Sequence, residues 1–533
     1  MQTDKTSVLI VGGSLVGLSA AMFLGLKGVN TILIERHAGS SAHPRAIGYT
    51  QRTMELFDAA GIMAQIPQVP KDFRLKRAEV ESLAGKWMEN TDWTPLGDAK
   101  PKGAEIEYSP HTGAAIAQDK LEPILRSRAA ELGADLRYST ELISFKEDEN
   151  EITARIRERN GKEYTIQADY MIAADGSNSP VREKLGIARK GLGHLKTVRS
   201  ILFRASLDEY LQSGVHQFEI NQPGLKAFLT TYNDGRWVLM FTDDTDRSKE
   251  EQLAAIYQAI GRKDIEIEII TTGRWELEAL IAEKFSSGRV FIAGDAAHTL
   301  PPTRGGFGAN TGIQDAHNLA WKLSAVLDGS AATQLLATYS AERQPVAWQR
   351  FLQTFARRDY AKYGNEETRN TPILDDAAME FGQLYRSTAV IGAGENLPPA
   401  RKPYEWTGQP GTRAPHIRVT KNGEKISTLD YLQRGWVLFA ADDQWEEATT
   451  AAGKQMGIQL EYVKIGTDLV ADDKDAFLAA FGIKENGASL IRPDGFIAWR
   501  SADMPGDPTN RLANALGSAC SSVKDKHEAI RTC

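Results

Sequence analysis

Cysteine is almost missing from this chain, with only Cys520 and Cys533 among 533 residues. Two thiols near one end cannot build a disulfide framework, a CxxC redox pair or a Cys/His zinc site, so no metal is expected and a reducing compartment, the cytoplasm, is the expected home. Excess positive charge is missing too. Lys and Arg number 63 against 70 Asp and Glu, a net charge of −7, which argues against the basic footprint of a nucleic-acid binder. Pairs such as Arg357-Arg358 read as solvated helix faces. Low-complexity tracts and short repeats are absent, which excludes a solenoid or a disordered chain. What is there is ordinary globular composition, 42% hydrophobic and 25% charged. The length calls for roughly two to four domains.

One long apolar run needs explaining. Ser7 to Leu26 carries no charge and could pass for a signal peptide or a membrane span. Glycines at 12, 13 and 17, serines at 14 and 19, and Asp4 beside Lys5 speak against both. The run also resumes after Lys27-Gly28 as a second apolar strand ending in an acid. A soluble βαβ unit explains all of this, so no membrane association is expected.

Within that unit, Ser7 to Val11 reads as a strand buried on both faces. Gly12-Gly13-Ser14-Leu15-Val16-Gly17 follows, then a helix from Leu15 to Lys27 closed by Gly28. A second strand, Asn30 to Ile34, ends in Glu35. The first glycine permits a tight turn. The small middle residue, here Ser14 rather than Gly, lets backbone approach a pyrophosphate, and Gly17 lets helix and strand pack closely. The helix N-terminus offers N–H groups to the phosphates, and an acid about twenty residues on suits a ribose. The pattern predicts dinucleotide binding without choosing FAD over NAD.

Two distant segments make the choice. Asp169 to Arg182 reads as a strand ending in Asp175-Gly176, and Gly288 to His298 as a strand ending in Gly294-Asp295. After the latter come Pro301-Pro302, a glycine-rich run to Gly308, Asn310, and a helix from Ile313 to Leu327 closed by Gly329. Strand ends and a glycine-rich helix start are where an open α/β sheet binds its ligand. With these three motifs in order, the chain resembles the aromatic-ring hydroxylases, single-component FAD monooxygenases of the p-hydroxybenzoate hydroxylase and phenol hydroxylase type. His43-Pro44-Arg45-Ala46 and Gln118 to Glu122 also match. The resemblance is strong over residues 7 to about 345.

The resemblance implies a Rossmann-like FAD domain in two pieces, 1–185 and 281–345. Gly12, Ser14 and Gly17 approach the pyrophosphate and Glu35 the adenosine ribose. Arg36, Arg45 and Gln118 lie along the cofactor, and Asp295 binds a ribityl hydroxyl. Backbone N–H groups of Gly308, Ala309 and Asn310 face the pyrimidine edge of the flavin, where a helix N-terminus stabilises reduced, anionic flavin. Asp175 belongs to the motif linked to FAD and pyridine nucleotide, and Pro302 sits beside the flavin and the substrate. From Pro302 to Asn310 the loop runs one residue longer than the commonest family version. His298 reads as structural.

Between the second and third motifs, alternating stretches predict an antiparallel sheet over 186–280, which in the family carries the substrate pocket. His216, Phe228, Trp237 and Phe241, with Tyr232, are its candidate walls, because aromatic faces suit an aromatic ligand. Residues 346–398 read as a helical segment and linker, the latter Pro/Gly-rich from Gly392 to Arg413. Residues 399–533 read as an α/β unit resembling the thioredoxin-like C-terminal domain of the phenol hydroxylase branch. Lacking CxxC, it is expected to be structural or to form a homodimer contact.

The implied reaction is reduction of FAD by transient NADPH or NADH, then hydroxylation of a small aromatic substrate by O₂ through a flavin C4a-hydroperoxide. The substrate class spans simple phenols, hydroxylated benzoates and fused-ring polyketides. Tyr232, His216 and Arg358 are candidates for handling the phenolic proton. Rival readings are a reductase or dehydrogenase on the same fold, Baeyer–Villiger or epoxidising oxygen transfer, and a non-catalytic nucleotide-binding protein. The W-x-W-x-I-P signature of one halogenase branch is absent.

Overall fold

The computed structural model describes residues 3–71, 73, 75–92, 106–302 and 307–521. The first half runs β1 Thr3–Val11, α1 Leu15–Gly25, β2 Thr31–Glu35, α2 Gln51–Ala59, β3 Lys76–Val80, β4 Trp87–Asp92, α3 Gln118–Glu131, β5 Asp135–Tyr138, β6 Thr140–Glu147, β7 Ile152–Glu158 and β8 Glu163–Ala173. A meander follows, with β9 Arg189–Arg204, β10 Val215–Gln222, β11 Leu225–Thr231, β12 Arg236–Phe241, α4 Lys249–Ile260 and β13 Glu268–Ala282. The chain then returns through β14 Ser286–Ser287, β15 Val290–Ile292, β16 His298–Thr299, α5 Phe307–Leu327 and α6 Ala337–Ala356. The C-terminal unit is built on β17 Trp436–Ala440, α7 Gln444–Met456, β18 Leu460–Lys464, β19 Ala488–Ile491, β20 Ile497–Ser501 and α8 Pro508–Ala519.

The first sheet has the order β14-β15-β8-β1-β2-β5, with β7 on β8 and β6 on β7. The pairs β1/β8, β1/β2, β2/β5 and β8/β15 are parallel, so β1 is a central strand covered on both faces, as its unbroken Val8-Leu9-Ile10-Val11 requires. Helix α1 has no polar face. It packs against both α3 and α5, and Leu15, Leu18, Met22, Phe23 and Leu24 are buried. Enclosure all round is why Ser7 to Leu26 is so apolar. No helix among the described residues is long and apolar enough to cross a membrane.

The second sheet has the order β16-β13-β9-β12-β11-β10-β3-β4. It takes in β3 and β4, which the expected boundary at 185 had left with the first sheet. β3 reaches it by pairing parallel to β10, a long-range contact that local pattern cannot announce. Its outer face buries Phe203, Phe218, Leu229, Trp237, Leu239 and Phe241 with Ile256 and Ile260 of α4.

Two other expected boundaries shift. Helix α6 runs straight through 345–346, with Pro345 inside it. The Gly392 to Arg413 stretch is not a free linker. Ala400, Trp406 and Arg413 are buried, and a side chain on Gly408 would put its β-carbon 2.0 Å from the Phe481 carbonyl oxygen. Here Gly and Pro permit close packing rather than freedom. The C-terminal sheet has the order β18-β17-β19-β20 with only β17/β18 parallel. A βαβ unit followed by an antiparallel pair and a helix is the thioredoxin-like arrangement. Its Cys520 is buried; Cys533 lies outside the described residues.

Candidate active site

The turn from β1 into α1 has room for nothing but glycine at two points. Gly12 adopts φ +108°, and a β-carbon there would lie 2.2 Å from the Ala174 carbonyl oxygen. A β-carbon on Gly17 would lie 1.8 Å from the carbonyl oxygen of Gly12. Ser14 is the N-cap residue of α1, yet its side chain accepts no bond from the helix, and the first turn carries no acid. Its hydroxyl instead donates to Glu122 Oε1 at 2.6 Å and accepts from Gln118 Nε2 at 2.9 Å. The leading N–H groups of α1 and the positive end of its dipole therefore stay uncapped by side chains, as a bound pyrophosphate requires.

Glu35, at the end of β2, holds this turn from the other side. Its Oε2 accepts the Gly13 N–H at 2.7 Å and its Oε1 the His37 N–H at 2.8 Å. A carboxylate oxygen has two lone pairs, and Oε1 also lies 2.6 Å from His37 Nδ1, so Oε2 is the oxygen that keeps capacity for a ribose hydroxyl. Tyr138 is the sheet partner of Glu35, and the Arg126 guanidinium lies 4.4 Å over its ring. Arg126 Nε and Tyr138 Oη are buried without a hydrogen-bond partner among the described residues. Two orphaned polar atoms beside an acid fit the adenosine half of FAD. Arg36 is exposed.

The three motifs meet in space. Gly12 abuts Ala174, next to Asp175. Gly294 and Gly312 close on Val16 of α1, where their β-carbons would lie 2.7 and 2.5 Å from Val16 Cγ2. Asp175 Oδ2 accepts the Val181 N–H at 3.3 Å, Oδ1 has no partner among the described residues, and burial raises the carboxyl's pKa. Arg45 reaches Asp295 at 3.5 Å. Gln118 Oε1 accepts the N–H groups of Arg45 and Ala46 at 3.4 and 3.3 Å, so Gln118 braces that loop against α1. At the start of α5 the Asn310 side chain turns inward. Its Oδ1 accepts the Thr50 N–H at 3.0 Å and the Thr53 hydroxyl at 2.6 Å, and its Nδ2 donates to the Gly48 carbonyl at 3.2 Å. A β-carbon on Gly308 would meet nothing within 4 Å among the described residues. The helix start is thus anchored by a side chain, while Gly308 is free of contact with the described residues. His298 is buried with its Nε2 2.7 Å from Asp315 Oδ2, a structural placement.

The second sheet turns its inner face to this cradle. Ser200 Oγ lies 2.8 Å from His43 Nε2, the Tyr232 hydroxyl donates to the Pro44 carbonyl at 2.6 Å, and Arg236 pairs with Asp119 at 2.8 Å. Register decides which candidate walls belong here. Phe228 pairs with Met240, whereas Trp237 pairs with Thr231 and Phe241 with Ala227. Directly opposed residues share a face, and neighbours along a strand alternate. Phe228 therefore shares the inner face with Met240, Thr230 and Val238. Trp237 and Phe241 belong to the opposite face, fully buried in the core under α4. They are not pocket walls.

The proton-handling candidates separate as well. Tyr232 is committed as a donor to Pro44, and burial pushes its pKa well above the usual range, so it is a strap rather than a base. Arg358 is exposed in the turn after α6, and a guanidinium does not give up its proton in proteins. His216 Nδ1 lies 3.0 Å from the Gly214 carbonyl. Donation from Nδ1 makes Nε2 the acceptor, and burial lowers the ring's pKa. Pro302 is exposed, and its carbonyl accepts the Tyr360 hydroxyl at 3.0 Å.

The family described as FAD binding domain matches residues 5–354, and the one described as aromatic-ring hydroxylase, C-terminal, matches residues 407–522. The chain belongs to the FAD-dependent aromatic-ring hydroxylases. It is 40% identical to 4-methyl-5-nitrocatechol 5-monooxygenase of Burkholderia sp, over 96% of this chain and 97% of that one. It is 38% identical to a putative polyketide hydroxylase of Streptomyces halstedii, over 95% of each. Among solved structures, the ternary complex of aklavinone-11 hydroxylase with FAD and aklavinone superposes with a TM-score of 0.87 at 32% identity, covering 98% of this chain and 100% of that one. The protein is an FAD-dependent monooxygenase.

Several residues that border the candidate site escaped the sequence reading. Arg77 of β3 donates to Gln217 at 3.1 Å and Glu219 at 2.8 Å and lies 5.0 Å over Phe228. Tyr360, its pKa pushed up to about 12 by burial, is fixed to Pro302. Arg126 and Tyr138 join Glu35. None lies in a glycine motif: Arg77 and Tyr138 arrive through the parallel pairings of β3 with β10 and of β2 with β5, Arg126 from helix α3 and Tyr360 from the turn after α6, and only those pairings could have signalled the first two.

Proposed function

We propose that this enzyme hydroxylates a phenolic aromatic ring, of the nitrocatechol or fused-ring polyketide kind that its relatives' names describe. The ring would lie between the inner face of the second sheet and the Pro302 rim. The observation that carries this is the inner face itself. Phe228, Thr230, Met240 and Gln217 line up there with Arg77 at one edge, an apolar platform with polar groups at its margin.

The residues divide the work. Gly12, Ser14 and Gly17 bring backbone N–H groups to the pyrophosphate of FAD, Glu35 takes the adenosine ribose, and Arg36 flanks it. Arg45 and Asp295 take the ribityl region, with Gln118 behind them. Gly308, Ala309 and Asn310 turn the start of α5 toward the pyrimidine edge, and Asp175 lies between cofactor and nicotinamide. When bound, FAD supplies the electrons received from NADPH or NADH and the activation of O₂. Phe228 and Met240 orient the ring by contact, while Pro302 and Tyr360 close the rim against water. His216 is the side chain whose acceptor nitrogen suits removal of a phenolic proton. Few thiols and no apolar span among the described helices support a cytoplasmic setting.

The test is reductant consumption with phenols of increasing ring count, each product weighed for one added oxygen atom. Oxygenated product from at least one phenol is the expected outcome. Consumption of NADPH or NADH with no oxygenated product across mono-, di- and tetracyclic phenols would overturn the reading in favour of a reductase.

A further inference from the structure

The C-terminal unit docks on the FAD half through buried ions as well as apolar surface, where Trp321 of α5 meets Trp436 edge-on at 5.9 Å. Arg492, after β19, donates to Glu342 of α6 at 2.6 and 2.9 Å and to Asp494 at 3.0 Å. Lys322 of α5 donates to the same Glu342 at 2.8 Å. All four ionic side chains are at most 1% exposed. A second contact joins Arg413 to Glu55 of α2, which also holds Arg52 at 2.7 Å, and Arg52 reaches the Asp494 carbonyl at 3.2 Å. Phe496 stacks on Tyr385 at 4.0 Å, and the Tyr385 hydroxyl accepts Arg343 Nη1 at 2.8 Å.

These contacts lead to the flavin end of the cradle, the Arg492 cluster by way of Tyr385, whose ring lies 5.7 Å from the Arg492 guanidinium. Arg343 donates to Asp315 at 2.8 Å and to the Thr311 carbonyl at 3.2 Å, and Asp315 holds both His298 and the Gly294 N–H. Thr311 follows Asn310, and Gly294 precedes Asp295. Helix α2, held by Arg413, carries Thr53, which anchors Asn310. Buried ion pairs are a costly way to hold two surfaces together, since apolar contact of the same area is as stable or more so. What they add is fixed geometry, because each charge tolerates few arrangements of its partners.

We propose that the C-terminal unit is part of the flavin site, with Arg413 and Arg492 as positioning residues that set the start of α5 and the Gly294-Asp295 turn. The inference rests on the reading that FAD lies against those two segments. It gives the thioredoxin-like unit a task in oxygen insertion that needs no thiol chemistry.

The test pairs two variants, R492M/D494N and Y385F. The first removes one positive and one negative charge and leaves Lys322 with Glu342, so no buried ion is stranded. The second removes one hydroxyl. Each is checked for folding by circular dichroism, and then three quantities are measured: the Kd of the apoprotein for FAD, the flavin midpoint potential, and the ratio of oxygenated product to reductant consumed. Folded R492M/D494N is expected to bind FAD at least tenfold more weakly and to waste at least half of its reductant, and Y385F to move in the same direction by a smaller step. Folded variants with wild-type values of all three would overturn the proposal, even if they melt at a lower temperature. Should R492M/D494N not fold, Y385F decides alone. Failure of the wild-type protein to bind FAD would instead overturn the reading on which the proposal rests.

Discussion

The carbonyl oxygen of Gly12 lies 1.8 Å from where a β-carbon on Gly17 would stand. No side-chain rotation can relieve that overlap, because both atoms are set by the backbone of the β1–α1 turn. Gly17→Ala must therefore push α1 away from β1. Overpacking of this kind costs about 1–3 kcal/mol or more, and the displaced helix start loses its phosphate geometry. Flavin absorbance of the purified variant should be lost. Retention of FAD at wild-type affinity would show that this turn does not hold the cofactor.

Gly308 makes the opposite case. A β-carbon there meets no atom of the described residues within 4 Å, so Gly308→Ala leaves the apoprotein as stable as wild type, or more stable by up to about 1 kcal/mol because alanine suits a helix better. If the start of α5 faces the flavin, the same methyl group weakens FAD binding about tenfold or more. Urea denaturation of apoprotein and FAD titration separate the two effects. Unchanged FAD affinity would remove Gly308 from the cofactor site.

The two faces of the second sheet can be told apart by one pair of substitutions. Trp237 is fully buried under α4, so Trp237→Ala costs about 3–5 kcal/mol of stability. Phe228 is half-buried on the inner face, so Phe228→Ala costs only about 1 kcal/mol while raising KM for the aromatic substrate several-fold. Denaturation curves and steady-state kinetics on both variants check this. A KM unaffected by Phe228→Ala would move the substrate off this face.

His317 of α5 lies edge-on to Phe23 at 5.0 Å, and burial pushes its pKa down to about 3. An unfolded histidine titrates near 6.5. As pH falls below 6.5 the unfolded chain gains a proton that the folded chain refuses, so stability falls, by up to about 1.4 kcal/mol per pH unit. His317→Gln should lose that part of the slope between pH 6.5 and 5. Parallel slopes for wild type and variant would mean that His317 titrates normally in the fold.

The sequence by itself determined the cofactor half of this enzyme. Gly12, Gly17, Glu35, Asp175 and Gly294-Asp295 are legible because their constraints are local: a positive φ, a close backbone approach, or an acid at a strand end speaks through residue type at that very position. The same locality made Ser7 to Leu26 readable as a buried strand and helix. The substrate side depended on the tertiary structure. Whether Phe228 or Trp237 faces the cradle is a question of parity across β11 and β12, and a shift of one residue in register would exchange them. Strand β3 brought Arg77 to the inner face by pairing with β10, across more than a hundred residues of intervening chain. The Gly392 to Arg413 stretch shows the same limit. Its glycines and prolines mark an irregular backbone equally well whether the path is loose or packed, and only the arrival of Arg413 at Glu55 made it a buried seam between the C-terminal unit and the cradle.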